Sequence, residues 1–287
     1  MLRVALVGCG VMGRRHAEVV RSDAEARLVA AVDTVPERAE AIARSVSGCR
    51  TSAQGVEIDL VIVATPTDTH VEVARPWLER GAWVLVEKPV AATLAEARSL
   101  AHPRVLVGHC ERFNPAVRAG RVQGPTELTM ERLSPYTGRG IEVDVIADLM
   151  VHDLDLLLRW APSLQVVDAQ GSTGPSGSLD RVTAQLRGEG LDATVTSDRM
   201  AARRHRVVAG HDAVGPLRLD LASGEARRGD ARQPPIDAHD ALSAQWHAVR
   251  GHIEGRGGAV AEPEAALAVL ALAESIRARV QQGRGVA

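Results

Sequence analysis

The apolar run Leu2-Arg-Val-Ala-Leu-Val7 passes without interruption into Gly8-Cys-Gly10-Val-Met-Gly13, and this junction restricts the possible folds more than any other stretch. A run that is apolar at nearly every position reads as a strand covered on both faces, as in a parallel sheet. Glycines at G-x-G-x-x-G spacing after such a strand have separate tasks. Gly8 turns the chain tightly, Gly10 lets the backbone approach a pyrophosphate, and Gly13 lets the next helix lie on the strand. The spacing alone is a weak signal, and its context strengthens it. A helix-compatible stretch follows at 14–21, then an apolar run at 28–32, then Asp33, twenty residues past Gly13. A carboxylate in that place takes the ribose hydroxyls of an adenine dinucleotide. Asp33 also suits the cap of a helix opening at Pro36, and the two roles are compatible.

The alternation continues with helix 37–45, strand 60–64, helix 71–80, strand 84–86, helix 94–101 and strand 105–107. Strands alternating with helices specify a doubly wound parallel sheet. Thr65-Pro-Thr67-Asp-Thr-His70 follows the carboxyl end of a strand, where it serves either as a cofactor contact or as an ordinary turn with a helix cap. Asn114-Pro115 marks a break, which gives domains of 1–113 and 114–287. Beyond it, strands at 126–133, 165–171, 181–186, 192–196, 206–209 and 217–221 succeed one another between Gly, Pro, Asp and Ser, and helices 238–253 and 263–282 close the chain. The fold class is therefore α/β, with a C-terminal α+β domain on an open, mostly antiparallel sheet.

Two places carry candidate chemistry. Lys88 is the only lysine among 34 basic residues and stands between the run Ala82–Val86 and Pro89, at the end of a strand. An ammonium is compact and can exchange a proton where guanidinium cannot, although a solvated surface lysine explains the residue as well on composition alone. In open α/β sheets ligands bind at that end. On helix 148–160, Asp148, His152 and Asp155 fall at i, i+4 and i+7 and share a face, beside an apolar stripe of Val151, Leu154 and Leu158. A carboxylate one turn from an imidazole can orient it for acid-base work; a solvated face and a metal site are the alternatives, and hydride chemistry needs no metal. His109 and Glu111 alternate on a strand end, while His70, His205, His211 and His247 read as structural.

The net charge of −2 supplies no field for nucleic acid or an anionic membrane. Cys9, Cys49 and Cys110 are far apart without a C-x-x-C pair, which fits a reducing compartment. No apolar run approaches the ~20 residues of a spanning helix, and the chain opens directly into a strand, so it reads as cytoplasmic.

The segments VGCGVMG, ATPTDTH, VLVEKP, GHCERFNP and DLMVHDLDL, in that order, resemble the glucose-fructose oxidoreductase and inositol dehydrogenase (Gfo/Idh/MocA) family over essentially the whole chain. The resemblance implies an NAD(P)-binding Rossmann domain, with Val11, Met12, Ala64, Thr65, Pro66, Thr67, His70, Glu87 and Lys88 joining the glycines and Asp33 around the cofactor. It implies that Lys88, Asp148 and His152 form the catalytic group, with no metal, and that the C-terminal sheet builds a homodimer or homotetramer. Within the family, GHCERFNP and DLMVHDLDL look most like enzymes that oxidise the 3-hydroxyl of UDP-N-acetylglucosamine. That places Arg112, Asn114 and Asp155 near substrate and offers Arg112 or Arg139 to a diphosphate. Asp33 favours NAD over NADP because it repels a 2′-phosphate. Thr34 and Val35 add no positive charge, and Arg38 is the one cation within reach. A free-sugar or inositol dehydrogenase is the alternative, and a non-enzymatic NAD-dependent regulator the second. Asp144 stands where the family has glycine, and the connection from Leu94 to Val105 is short.

Overall fold

The computed structural model describes residues 1–138 and 141–284. The chain packs as two units: Met1–His109 with Leu242–Leu267, and Cys110–Ala241 with the stretch from Ala268 onward. A single cut after residue 113 thus differs from the observed division, which falls at His109 and returns a later segment to the N-terminal unit.

The first unit begins β1 (Leu2–Val7), α1 (Val11–Arg21), β2 (Ala26–Val32), α2 (Pro36–Ser45) and β3 (Leu60–Val63). It continues α3 (His70–Glu79), β4 (Trp83–Glu87), α4 (Leu94–Arg98) and β5 (Val105–Gly108). Then follow α5 (Pro115–Gly120), β6 (Glu127–Leu133), a π-turn at Ile146–Met150 and α6 (Val151–Trp160). The strands β7 (Leu164–Thr173), β8 (Leu179–Gly188), β9 (Leu191–Asp198), β10 (His205–Asp212), β11 (Gly215–Asp220), β12 (Glu225–Arg228) and β13 (Ala231–Gln233) come next. Helices α7 (Ala241–Ile253) and α8 (Pro263–Arg284) end the described chain.

In the first unit five parallel strands run in the order β2-β1-β3-β4-β5. Every residue of β3 and β5 is buried, as runs without alternation require in a sheet covered on both sides. The chain steps from β1 to β2 on one side and to β3 on the other, so the carboxyl ends of β1 and β3 form the switch point where α/β sheets take ligands. Helix α7 belongs here because Trp246 and Val249 pack among Leu2, Val4 and Leu28. The Trp246 indole N–H donates to Asp23 at 2.7 Å, and Arg250 reaches the same carboxylate at 2.8 Å. A buried indole with its N–H satisfied is a strong anchor.

The second unit is built on eight strands, in the order β13-β12-β11-β10-β6-β9-β8-β7. Only β6 and β9 pair in parallel; the other neighbours are antiparallel. Alternation decides which face is covered. Val182, Ala184 and Leu186 of β8, with Leu128 and Met130 of β6 and Ala193 and Val195 of β9, form one core with α6 and α8. Arg181, Thr183 and Gln185 point the other way, where Thr183 and Thr196 hydroxyls meet at 3.0 Å across strands. At one end the covered face changes from apolar to charged: Arg132 continues β6, Ser197 continues β9 and Asp180 opens β8, all fully buried. Among the described residues no helix is long and apolar enough to cross a membrane.

Candidate functional site

In the first unit the glycine loop has the shape its spacing requires. Gly8 has φ +92°, and a side chain there would meet the Ala64 carbonyl oxygen at 2.5 Å, so β1 and β3 can splay only around a bare Cα. A Cβ on Gly13 would lie 1.9 Å from the Gly8 carbonyl oxygen, which is how closely α1 sits on the loop. Gly10 is different: a Cβ there would meet nothing within 4 Å. Gly10 is also the N-cap of α1, with no side chain bonded to the helix end and no acidic residue in its first turn. An open glycine at a helix N-terminus without a side-chain cap fits a pyrophosphate, which is drawn to free N–H groups and the helix dipole.

Asp33 follows β2 and steadies this loop. Its Oδ2 accepts the Cys9 N–H at 2.6 Å and its Oδ1 the Val35 N–H at 2.8 Å, while the exposed Arg38 guanidinium stays 4.0 Å from Oδ1. Each oxygen keeps a lone pair for a ribose hydroxyl. Beside the loop, burial pushes the Cys9 thiol up to about 12, so it remains a neutral packing group.

Lys88 directly follows β4 and is half-buried; its backbone is held from both sides. Before it, Glu87 Oε1 meets His16 Nε2 of α1 at 2.7 Å. Burial alone would raise the Glu87 carboxyl, but the His16 hydrogen bond and the nearby charges of His16 and Lys88 outweigh it and leave Glu87 below its ordinary value. After it, the Pro89 carbonyl meets His70 Nδ1 at 3.0 Å, and His70 Nε2 meets the Thr65 carbonyl at 3.0 Å. Burial lowers the His70 imidazole. Ties from α1 and from the loop after β3 therefore fix where the Lys88 ammonium begins.

In the second unit Asp148 lies within the π-turn and His152 is the second residue of α6, both partly exposed. A π-turn changes the residue count per turn, so the strict i, i+4, i+7 face expected of a uniform helix is broken after Asp148. Val151 and Leu154 are buried and Leu158 is partly buried against the same core, as their spacing indicated. Asp155 is buried: Arg112 Nε and Nη2 grip its two oxygens at 2.8 and 2.6 Å. Next to it Arg132 donates to both oxygens of Asp153 at 2.9 and 2.7 Å and to Glu111 at 3.0 Å. Burial would raise the Glu111 carboxyl, and the charges of Arg132 and Arg206 overcome that and lower it. Among the described residues no three His, Cys, Asp or Glu groups converge as metal ligands would.

Several of the other residues singled out by sequence are held by internal partners. The Asn114 amide donates to Glu111 at 2.9 Å and to the Leu221 carbonyl at 2.9 Å, and its oxygen caps α5 at Ala116 N–H, 3.0 Å away. Asn114 is buried and ties the start of α5 to the chain just after β11. Asp155 is held by Arg112. Glu87 and His70 are buried, 7% and 1% exposed, and bond His16 and backbone carbonyls respectively. Gly8, Gly10, Val11, Met12, Gly13 and Asp33 gather at the ends of β1 and β2, and Ala64, Thr65, Pro66 and Thr67 lie beyond β3. Arg139 lies outside the described residues. His16, Arg132, Asp180 and Arg199 are not among the residues that the sequence motifs single out. His16 was legible as the polar member of the buried stripe Gly13, His16, Ala17 and Val20, and Arg132 as a charge in the inward register of Leu128 and Met130.

A family model described as an oxidoreductase family with an NAD-binding Rossmann fold matches residues 2–103. The UDP-N-acetylglucosamine 3-dehydrogenase of Acidithiobacillus ferrooxidans is 34% identical over 72% of this chain and 71% of its own. An inositol 2-dehydrogenase of Rhizobium meliloti is 27% identical over 99% and 98%. A solved structure of the Acidithiobacillus ferrooxidans UDP-N-acetylglucosamine 3-dehydrogenase superposes with a TM-score of 0.88, at 28% identity and 98% coverage of both chains. The glycine loop at the switch point, the two-unit architecture and these matches agree, and the chain belongs to the Gfo/Idh/MocA family of oxidoreductases.

Proposed function

We propose that this chain oxidises the 3-hydroxyl of UDP-N-acetylglucosamine, or of a close nucleotide-sugar relative, with NAD as hydride acceptor. The observation that carries the reading is the likeness to a UDP-N-acetylglucosamine 3-dehydrogenase in both sequence and fold, across both units. The glycine loop holds the pyrophosphate, Asp33 the adenosine ribose, and the bound nicotinamide supplies the hydride site. His152 takes the proton of the reacting hydroxyl, and Asp148, one turn before it, keeps the imidazole oriented and supports its charged form. Lys88 donates to the same oxygen as negative charge develops. Fixed backbone on both sides of Lys88 supports this role, because a donor held in place needs no reorganisation when the charge appears. Asp33 and the lack of a cation at Thr34 and Val35 favour NAD over NADP. The open face of the eight-stranded sheet joins copies of the chain into a homodimer or homotetramer.

The match to an inositol 2-dehydrogenase over nearly the full length supports a second reading, oxidation of a free polyol. Thermal-shift measurements with NAD and a panel of nucleotide sugars, free sugars and inositols, followed by turnover with NAD and NADP, separate the two. The nucleotide-sugar reading expects free glucose or N-acetylglucosamine to lose turnover as well as affinity, since remote binding energy acts at the reacting carbon. Comparable efficiency with myo-inositol, and no gain from a nucleotide, overturns it. A clear preference for NADP overturns the cofactor assignment.

A further inference from the structure

Asp148 is backed by a buried guanidinium, that of Arg199, which follows directly on β9 and is 3% exposed. The Nη1 of Arg199 lies 3.7 Å from Asp148 Oδ2. Its other donors are tied elsewhere. Nε bonds the fully buried Asp180 carboxylate, and Nη2 donates to the Val143 carbonyl and to the Ser176 and Ser178 hydroxyls, each at 3.0 Å. The other Asp180 oxygen accepts the Ser176 N–H at 2.9 Å, and the Asp180 carbonyl accepts the Arg199 N–H at 2.9 Å. The guanidinium plane is therefore fixed by Asp180, by the loop between β7 and β8 and by the Val143 carbonyl, with Nη1 facing Asp148.

That edge spans a short stretch of chain. Arg199 touches Val143 before the π-turn and Asp148 within it, while Arg277 of α8 grips Asp144 between them, donating from Nη2 at 3.0 Å. Asp144 in turn accepts the Ala147 N–H at 2.9 Å and, through its carbonyl, the Asp148 N–H at 2.9 Å. A π-turn costs regular hydrogen bonding and persists where surrounding contacts hold it. Here two arginines from other elements do so. Lysine cannot substitute at position 199, because one ammonium on a flexible stem cannot hold three directions at once.

Building on the catalytic reading of Asp148 given above, we propose that Arg199 is a positioning residue that fixes the Asp148 carboxylate through the Asp180–Arg199–Asp148 chain. Its effect on turnover passes through Asp148 alone. A residue with a general structural role lowers turnover whatever stands at position 148.

A double-mutant cycle in kcat separates these, using the substrate found in the panel above at saturating NAD. The cycle is run in the parental protein; Arg199→Met combined with Asp180→Asn, which strands no buried carboxylate, stands in for Arg199→Met where the single variant does not fold. Arg199→Met is expected to lower kcat about 10- to 100-fold, the scale of a displaced catalytic group. With Asp148→Asn already present, Arg199→Met should cost less than about threefold more, and the KM for NAD should not move. Losses that multiply in the combined variant overturn the proposal, as does Arg199→Met turnover within about threefold of its background. Parental turnover by Asp148→Asn overturns the catalytic reading of Asp148 and this inference with it. No turnover of any panel member by the unaltered protein overturns the functional reading itself.

Discussion

Replacing Gly10 by alanine separates what the glycine loop does for the fold from what it does for a ligand. The added methyl meets no atom within 4 Å, and the Gly10 dihedrals of φ −70° and ψ −155° are open to alanine. Two small effects on stability oppose one another. Alanine is a poorer N-cap than glycine by about 0.5 kcal/mol. Gly→Ala also restricts the unfolded chain, which stabilises by about 0.4–1 kcal/mol. The unfolding midpoint should therefore stay within about 2 °C of the parent. Cofactor binding should not survive as well, because the methyl occupies the space that a pyrophosphate oxygen needs to reach the α1 N–H groups. Loss of one hydrogen bond to a charged group is about 1.5–3 kcal/mol, or roughly 10- to 150-fold in Kd. Gly13→Ala is the reference. Its Cβ, 1.9 Å from the Gly8 carbonyl oxygen, forces backbone to move and should lower stability by about 1–3 kcal/mol before any cofactor is added. Thermal unfolding and fluorescence titration with NADH give both quantities. Gly10→Ala that binds NADH within about threefold of the parent, at unchanged stability, refutes the assignment of this loop to the pyrophosphate.

Lys88→Arg keeps the charge but replaces a compact donor with a longer planar fork, so kcat at saturating NAD should fall about 10²- to 10⁴-fold with NADH binding retained. Turnover within a few-fold of the parent removes Lys88 from the chemistry. Asp212 is gripped by Arg228 at 2.8 Å on both oxygens and accepts the Gln123 and Val214 N–H groups at 2.9 Å. Those bonds, Arg228 first, hold its carboxyl well below the usual range against the opposing effect of burial. A folded value below the unfolded one means the stabilisation is present above about pH 4 and is lost as pH falls through the folded value. Asp212→Asn should cost about 3–5 kcal/mol at pH 7, and the gap to the parent should narrow in acid; urea midpoints showing a pH-independent gap refute this. Sedimentation should give a multiple of the 30.5 kDa chain, and Thr183→Arg with Thr196→Arg on the open sheet face should return it to monomer; an unchanged mass places the contact elsewhere.

The parallel sheet was legible because its strands are apolar without alternation and its turns are marked by Gly8, Gly13 and Asp33. The second sheet was legible from alternating runs, although β12 and β13, each under five residues, fell below what a periodicity can show. The site was less legible. Asp148 and His152 stand out by spacing, but spacing assumes a uniform helix, and nothing in Ile146–Met150 announces a π-turn. Its partners in space include Arg199 and Arg277, which lie 51 and 129 residues beyond Asp148 in sequence. Asn114 and Asp155 looked available because sequence shows polarity and not partners. In the structure Arg112 holds Asp155, and Glu111 and Leu221 hold Asn114. The role of α7 was hidden for the same reason: an amphipathic helix does not state which sheet it covers.

The return of Leu242–Leu267 to the N-terminal unit also sets an order of events during synthesis. His109 and Leu242 are 133 positions apart (242 − 109), and at 5–20 residues per second a ribosome needs roughly 7 to 27 s to bridge them. Through that interval the parallel sheet exists without Trp246 and Val249, and Asp23 lacks both its indole and its guanidinium partner. The nascent first unit thus presents Leu2, Val4 and Leu28 along an unfinished apolar face while Cys110–Ala241 of the second unit is being made. Folding helpers that bind exposed aliphatic surface have that window in which to act, and it closes only when α7 leaves the exit tunnel.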